Sequence, residues 1–187
     1  METKARKNVL TTKQLTEIAM FISFAVVLEV LASVFPRMPQ GGSLSISFLP
    51  LLVLVYRHGF RIGVLAGVIF GLFNWMLTGF QVHVVWFEGI TDYLIASGVV
   101  GFAALIFTID RNDVKYFVLG AIFAGLLRFL VHFLSGIFIF DVFLPEGQNL
   151  YLYSLIYNAW YMIPTIILLA ILSGLSFHKL KDAFQQE

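Results

Sequence analysis

Long apolar stretches separated by short polar segments make up most of this chain. A helix needs about 20 apolar residues to cross the hydrocarbon core of a bilayer, and fewer when it is short or bent. Six stretches meet this requirement. The pattern therefore predicts an all-α membrane protein with one domain over residues 1–187 and six transmembrane helices, roughly Gln14 to Phe35, Leu44 to Tyr56, Phe60 to Leu77, His83 to Phe107, Tyr116 to Phe140 and Leu150 to Phe177.

Two local features qualify this picture. The second predicted helix contains Pro50 and is joined to the third by a tight turn, residues 57–59. Small residues at every fourth position let helices pack closely in lipid. We therefore interpret a glycine stripe on the third helix as a packing face, made of Gly59, Gly63, Gly67 and Gly71.

Composition supports lipid as the main solvent. The chain is 59% hydrophobic and 12% charged, which is more apolar surface than a water-soluble domain of 187 residues can bury. A net charge of +1 argues against a nucleic-acid partner, and the absence of Cys excludes thiol chemistry. No short apolar run ends in a small-residue cleavage site, so we expect no cleaved signal peptide.

Positive charges predict the orientation, because cytoplasmic loops are enriched in Lys and Arg. One side of the predicted bundle carries Arg37 alone, with acidic Asp141 and Glu146. We therefore expect both termini to be cytoplasmic and loops 36–43 and 141–149 to be external. The basic residues of the other side are Lys4, Arg6, Lys7, Lys13, Arg57, Arg61, Arg111, Lys115, Lys179 and Lys181.

Three polar residues lie inside apolar stretches of consecutive predicted helices: Asp92, His132 and Asn158. At 1.5 Å rise per residue, each is about 12–14 Å below the outer membrane surface. Ionisable clusters in a membrane mark functional sites by default. The sequence therefore predicts a small-molecule pocket near the outer face. One helical turn away lie Glu88, Arg128 and Gly136, and we expect the glycine to leave room for a ligand.

Each polar residue taken alone also has a structural explanation. Arg128 is a plausible ionic partner of Asp92, and that pair could simply hold two helices together. A lone His132 fits a satisfied core histidine, and a lone Asn158 fits interhelical hydrogen bonding. Glu29 on the first helix has no evident partner, so it either lines the site or ties helices together. Convergence of the group at one depth favours the functional interpretation.

Aromatic residues surround this cluster. Trp86 and Tyr151 fit an interfacial belt. The others, placed deeper or beside the carboxylates, favour a flat, cationic, heteroaromatic ligand through stacking and cation–π attraction. They are Tyr93, Phe140, Tyr153, Tyr157, Trp160 and Tyr161.

Motifs for catalysis are missing from the sequence. It has no His-Glu-x-x-His, Gly-x-Ser-x-Gly or phosphate-binding loop, so we expect no enzyme and no cofactor or metal site. Ala19 and Ser23 form a flat patch of small side chains on the first helix. This patch either packs internally or docks a partner protein.

Several segments resemble the thiamin-specific substrate-binding (S) components of energy-coupling factor (ECF) transporters. The resemblance covers nearly the whole chain, and its most specific parts are in the fifth and sixth helices. The matching segments are residues 38–46, the pair Asp92-Tyr93, the run 128–136 with its His-x-x-Ser-Gly core, and residues 153–164.

The resemblance implies a six-helix protein with a thiamin pocket near the outer face. It implies that Asp92, Tyr93, His132, Tyr153 and Asn158 contact the vitamin. Phe140 stands where some members stack the ligand on Trp. It further implies a membrane coupling subunit and two ABC ATPases as partners, with the small residues Ala19 and Ser23 as the docking patch.

Two other functions remain open from the residues. Asp92, Arg128 and His132 could form the relay of a self-sufficient proton-coupled transporter of a small cationic solute. A purely structural membrane subunit would bind no small molecule.

Overall fold

The computed structural model describes residues 10–34, 37–39, 41–80, 86–142 and 144–185, and every regular element within these ranges is helical. Five helices are long and apolar enough to cross a membrane, and a sixth apolar helix is shorter. The all-α prediction is therefore confirmed. The helices are α1 Thr12–Ala32, α2 Phe48–His58, α3 Phe60–Leu77, α4 Trp86–Phe107, α5 Val114–Ile139 and α6 Leu150–Gln185.

Some predicted features fall outside the described residues. They are the end of the first helix at Phe35, the start of the fourth at His83, and the basic residues Lys4, Arg6 and Lys7.

The start of α2 corrects the sequence prediction. The helix begins at Phe48 rather than Leu44, which places Pro50 in its first turn, where a missing N–H costs little. The preceding residues lie outside the helix, and their polar groups bond elsewhere: the Ser45 amide donates to Oγ1 of Thr165, 3.4 Å away on α6. These residues form a wall of the site described below.

The glycine stripe on α3 has the packing role that the sequence predicted. A Cβ on Gly67 would press into the backbone of Ser97 and Gly98, and one on Gly71 into the backbone of Tyr93 and Leu94. Helix α4 therefore lies directly against the bare face of α3. Gly59 has a different role: its φ of 78° closes the turn between α2 and α3, which a residue with a side chain adopts only with strain.

Helix α4 is continuous but irregular. A π-helical segment, Gly89–Ile95, carries Asp92 and Tyr93, and a 3-10 segment follows at Val99–Phe102. Single π turns inside α-helices are frequent at functional sites. The apolar pattern predicts the helix but gives no sign of this local change in winding.

The core and the surface fit a membrane bundle. Helix α5 packs along α6, α3 along α4, and α1 against α2 and α3. The main apolar core lies around Phe48, Leu52 and Phe70. A smaller cluster of Ile139, Phe140 and Tyr157 lies at the other end. Large apolar side chains are exposed on the outer helix faces, as expected where lipid is the solvent.

Candidate functional site: a polar cavity between the helices

A cavity opens among the helices at the end where α5 stops and α6 begins. Residues of α1, α3, α4, α5, α6 and the loop segment 41–47 line it. Nine of the ten predicted binding residues are in this lining: Glu88, Asp92 and Tyr93 on α4, Arg128, His132 and Gly136 on α5, Phe140 just beyond α5, and Tyr157 and Asn158 on α6.

His132 connects a cation to an anion at this cavity. Nε of Arg128 donates to Nε2 of His132 at 3.2 Å. Because arginine can only donate, Nε2 must accept, which places the imidazole hydrogen on Nδ1. Nδ1 lies 3.2 Å from Oδ1 of Asp92 and donates to it. The expected direct pair of Arg128 with Asp92 is therefore wrong, since the histidine lies between them.

Asn158 completes the convergence of three helices. It is 3% exposed, and its Nδ2 donates to the backbone carbonyls of Ser154 at 2.9 Å and His132 at 3.3 Å. Its Oδ1 accepts from the Tyr161 hydroxyl at 2.7 Å. The prediction that Asp92, His132 and Asn158 come together is confirmed, because His132 contacts both of the others.

The loop segment 41–47 is bonded to helices on two sides of the cavity. The Tyr157 hydroxyl donates to the Gly41 carbonyl at 2.9 Å, and the Ser45 hydroxyl donates to Oε2 of Glu29 at 2.6 Å. Glu29 also lines the cavity, as one of its two interpretations predicted, while its bond to Ser45 joins α1 to the loop before α2 rather than to another helix. The hydrogen bonds make this segment a wall of the site.

The aromatic residues form a layered cluster at the cavity mouth. Phe140 packs against Tyr157, with ring centroids 4.7 Å apart, and against Tyr153 at 5.3 Å. Tyr153 is not part of the cavity lining and lies behind these rings. On the opposite side, Tyr93 stacks on Trp75 with centroids 6.0 Å apart. The aromatic surfaces closest to the cavity are those of Phe140, Tyr157, Tyr161 and Tyr93.

Gly136 lines the cavity and also has a packing role that the sequence did not predict. A Cβ there would meet the Ser154 hydroxyl and the Phe140 ring, 2.9 Å away. The glycine therefore permits close packing of α5 on α6, and it also presents its backbone to the cavity that it lines.

A buried hydroxyl pair fixes the π-helical segment. Oγ1 of Thr91 lies 2.9 Å from Oγ of Ser135 and donates to the Phe87 carbonyl at 2.8 Å. Thr91 precedes Asp92 directly, so this contact fixes the position of the carboxylate relative to α5. The contact between Thr91 and Ser135 therefore lies in the same π-helical segment that carries Asp92 into the site.

Further lining residues were missed by the sequence reasoning. Asn74 and Thr78 are polar positions one turn apart in apolar α3, a signal that could have been used. Tyr161 was not missed in the same way, because the sequence already placed it among the aromatic residues around the cluster; it is one turn beyond Tyr157 and Asn158 and shares their helix face. Arg37, Ser45 and Thr165 carry no comparable signal, because the chain fold alone brings them to the cavity.

Two remaining expectations concern other sites. Ala19 and Ser23 are exposed on the outer face of α1, so they do not pack internally; Ala25 does, with 0% exposure. Within the described residues, no group of three or more His, Asp or Glu side chains is placed to hold a metal ion.

The fold and cavity define a helical membrane protein with a ligand-sized polar site between its helices. The model of the family described as Thiamine transporter protein (Thia_YuaJ) matches residues 15–185, and the chain belongs to this family.

Individual relatives agree. The chain is 34% identical over 174 residues to Thiamine transporter ThiT of Bacillus subtilis (strain 168), covering 88% of this chain and 90% of the relative. It is 28% identical over 142 residues to Thiamine transporter ThiT of Lacticaseibacillus paracasei, covering 70% of this chain and 71% of the relative.

Solved structures share the fold. A ThiT structure from Listeria monocytogenes aligns with a TM-score of 0.77 at 21% identity, covering 89% of this chain and 94% of that one. A structure titled as the S component of a bacterial ECF transporter aligns with a TM-score of 0.59 at 18% identity, covering 93% of this chain and 96% of that one.

Proposed function

We propose that this chain binds thiamin and takes part in its uptake as the S component of an ECF-type transporter, without catalysing a reaction. Its membership of the thiamine transporter family supports thiamin as the ligand. The fold shared with an S component supports an ECF-type transporter. The observation that carries the site is the hydrogen-bonded series Arg128–His132–Asp92 beside aromatic rings. A carboxylate next to aromatic faces suits the flat thiazolium cation of thiamin.

We assign the residues as follows. Asp92 has a second carboxylate oxygen, Oδ2, available to a ligand, because only Oδ1 bonds His132. Glu88, one turn away, adds negative charge. The amide of Asn158 and the hydroxyl of Tyr161 supply further hydrogen-bonding groups. Phe140, Tyr157 and Tyr93 supply aromatic surface, and Tyr153 supports Phe140 and Tyr157 from behind.

The transporter setting is also proposed. Both termini lie in the cytoplasm of a bacterial cell and the cavity opens outward, as the distribution of Lys and Arg favours. The exposed Ala19 and Ser23 patch docks a membrane coupling subunit, and two ABC ATPases supply the energy. The patch lies toward the start of α1, the end opposite the cavity-lining Glu29.

A self-sufficient proton-coupled transporter has less support. The polar series of hydrogen bonds ends at Arg128, whose guanidinium carbon lies 4.3 Å from the centroid of the Phe48 ring. Phe48 belongs to the main apolar core, together with buried Leu51 and Leu52. Among the described residues this core offers no continuation of a proton path beyond Phe48.

Thiamin binding can be measured by quenching of tryptophan fluorescence in the purified protein. Trp75 stacks on cavity-lining Tyr93 and can report on occupancy. We expect saturable binding, weakened at least tenfold in Asp92→Asn and His132→Ala, because each change removes a charged hydrogen bond. Asp182→Asn, an exposed carboxylate at the far end of α6, is the matched control. Absence of wild-type binding would overturn the proposal.

Transport assays separate the two mechanisms. As an S component, the chain alone in liposomes should not accumulate thiamin under a pH gradient, whereas co-reconstitution with the coupling subunit and ATPases should give ATP-dependent uptake. Proton-driven uptake by the chain alone would favour the alternative.

A further inference from the structure

The charges around the cavity do not cancel. Among the described residues, three carboxylates line it, from Glu29, Glu88 and Asp92, and two arginines, Arg37 and Arg128. His132 carries a hydrogen on one ring nitrogen and accepts on the other, so it adds no charge. The described part of the lining therefore has a formal excess of one negative charge, which a monocation neutralises. Without any one of the carboxylates the formal excess is zero.

Glu29 is the carboxylate in this set that comes from α1. Among the described residues it is the single contribution of that helix to the cavity. Its Oε2 accepts from Ser45, while Oε1 has no hydrogen-bond partner within the described part of the chain. Glu29 and Asp92 also both act electrostatically on Arg128. A half-buried carboxylate is costly in a membrane unless it is paired or solvated, so an open oxygen beside a cavity is suited to a ligand.

We propose that Glu29 is a second ligand-binding carboxylate, and that its charge makes the cavity selective for a cation over an uncharged molecule of the same shape. This inference rests on the proposed thiamin-binding function and adds a contact from α1 to it. The competing explanation is that Glu29 only holds Ser45 and the segment 41–47 in place.

The two explanations differ in their dependence on charge. In Glu29→Gln the side chain keeps an oxygen that can accept from Ser45 but loses the negative charge. In Ser45→Ala the charge stays and the bond is lost. If Glu29 binds the ligand through its charge, the first change must affect a cation much more than a neutral analogue, and the second must affect both weakly and equally.

The test is calorimetric titration with thiamin and with its uncharged 3-deaza analogue, in which a thiophene ring replaces the thiazolium. We expect Glu29→Gln to weaken thiamin binding about tenfold or more and analogue binding by much less. Ser45→Ala should weaken both about two- to tenfold. The control is Glu146→Gln, an exposed loop carboxylate outside the cavity lining, which should change neither.

The outcomes separate this inference from the proposed function. Wild-type binding with unchanged affinity in Glu29→Gln, or an equal loss for both ligands, overturns the inference alone. Absence of thiamin binding by the wild type overturns the proposed function and this inference with it. If Glu29→Gln does not fold, Glu29→Asp carries the test, because it keeps the charge but withdraws it by one methylene. Thiamin binding must then fall more than analogue binding.

Discussion

His132 and Asp92 form a hydrogen bond between helices α5 and α4, with 3.2 Å between Nδ1 and Oδ1. The direction of this bond is set from the other side of the ring, where Arg128 donates to Nε2. A neutral imidazole thus joins a buried cation to the carboxylate that we assign to the ligand. Each of the three groups is paired with a neighbour, which lowers the cost of ionisable side chains in a membrane interior.

Replacement of His132 should depend on whether the bond to Asp92 survives. The amide nitrogen of Asn overlays Nδ1 of histidine, so His132→Asn can still donate to Asp92, whereas His132→Ala cannot. We expect the alanine variant to bind thiamin about 10- to 100-fold more weakly, the asparagine variant to be intermediate, and Kd from fluorescence titration to show this order. Equal losses would mean that the bond to Asp92 does not matter for binding.

The tyrosine hydroxyls of α6 should differ in importance. Tyr157→Phe removes the donor to the Gly41 carbonyl but keeps the ring. The loop segment 41–47, which forms a wall of the cavity, is then held less firmly. We expect about two- to tenfold weaker binding, mainly through faster thiamin release in stopped-flow measurements.

Tyr153→Phe is the matched change behind the cavity. Its ring still packs on Phe140, so affinity should remain within twofold of the wild type. A large loss in Tyr153→Phe would instead show that its hydroxyl reaches the ligand, as the family resemblance implies, after a rearrangement of the rings.

The contact between Thr91 and Ser135 should position the π-helical segment. Thr91→Val removes the hydroxyl and keeps a similar shape, so Asp92 should lose its fixed position while α4 stays helical. We expect thiamin affinity to fall several-fold. Thr108→Val, which removes a similar side chain-to-backbone bond at the exposed end of α4, should leave affinity unchanged. Equal behaviour of the two variants would contradict the positioning role.

Close packing of α3 on α4 gives a stability prediction. Gly67→Ala would place a Cβ against the backbone of Ser97 and Gly98, so the helices must separate. We expect about 1–3 kcal/mol of destabilisation, seen as a lower thermal unfolding temperature in detergent.

Gly174→Ala on α6 is the control for this change. The added Cβ would make only an ordinary contact with Val118, at 3.6 Å. Alanine also favours a helix over glycine by about 0.5–1 kcal/mol, so stability should stay the same or rise. A similar loss in both variants would show that the detergent, rather than the α3–α4 contact, limits stability.

The sequence predicted those elements whose signals are local. The bounds Phe60–Leu77 of α3 are confirmed, because the apolar run is preceded by a glycine turn. The start of α2 was wrong, because residues 44–47 continue the apolar run while their polar groups bond elsewhere. Helix α6 continues beyond Phe177 to Gln185, since a polar helix end outside the bilayer leaves no apolar pattern.

Residues of the site were likewise predictable where their signal lies within a single helix. Asp92, His132 and Asn158 each lie within an apolar helix, so their shared depth could be counted from the sequence. The partner of Glu29 could not be predicted, because Ser45 lies 16 residues away in a loop outside the helical pattern. The insertion of His132 between Arg128 and Asp92 also depends on side-chain geometry that helix spacing does not specify.

The central claim is that thiamin occupies the cavity between α1, α4, α5 and α6, and a structure of the protein with thiamin bound tests it most directly. We predict density for thiamin within hydrogen-bonding distance of Asp92 and Asn158, with a ring against Phe140 or Tyr157. Thiamin outside this cavity, for example in the apolar groove along Leu152, Ile156 and Trp160, would contradict the account.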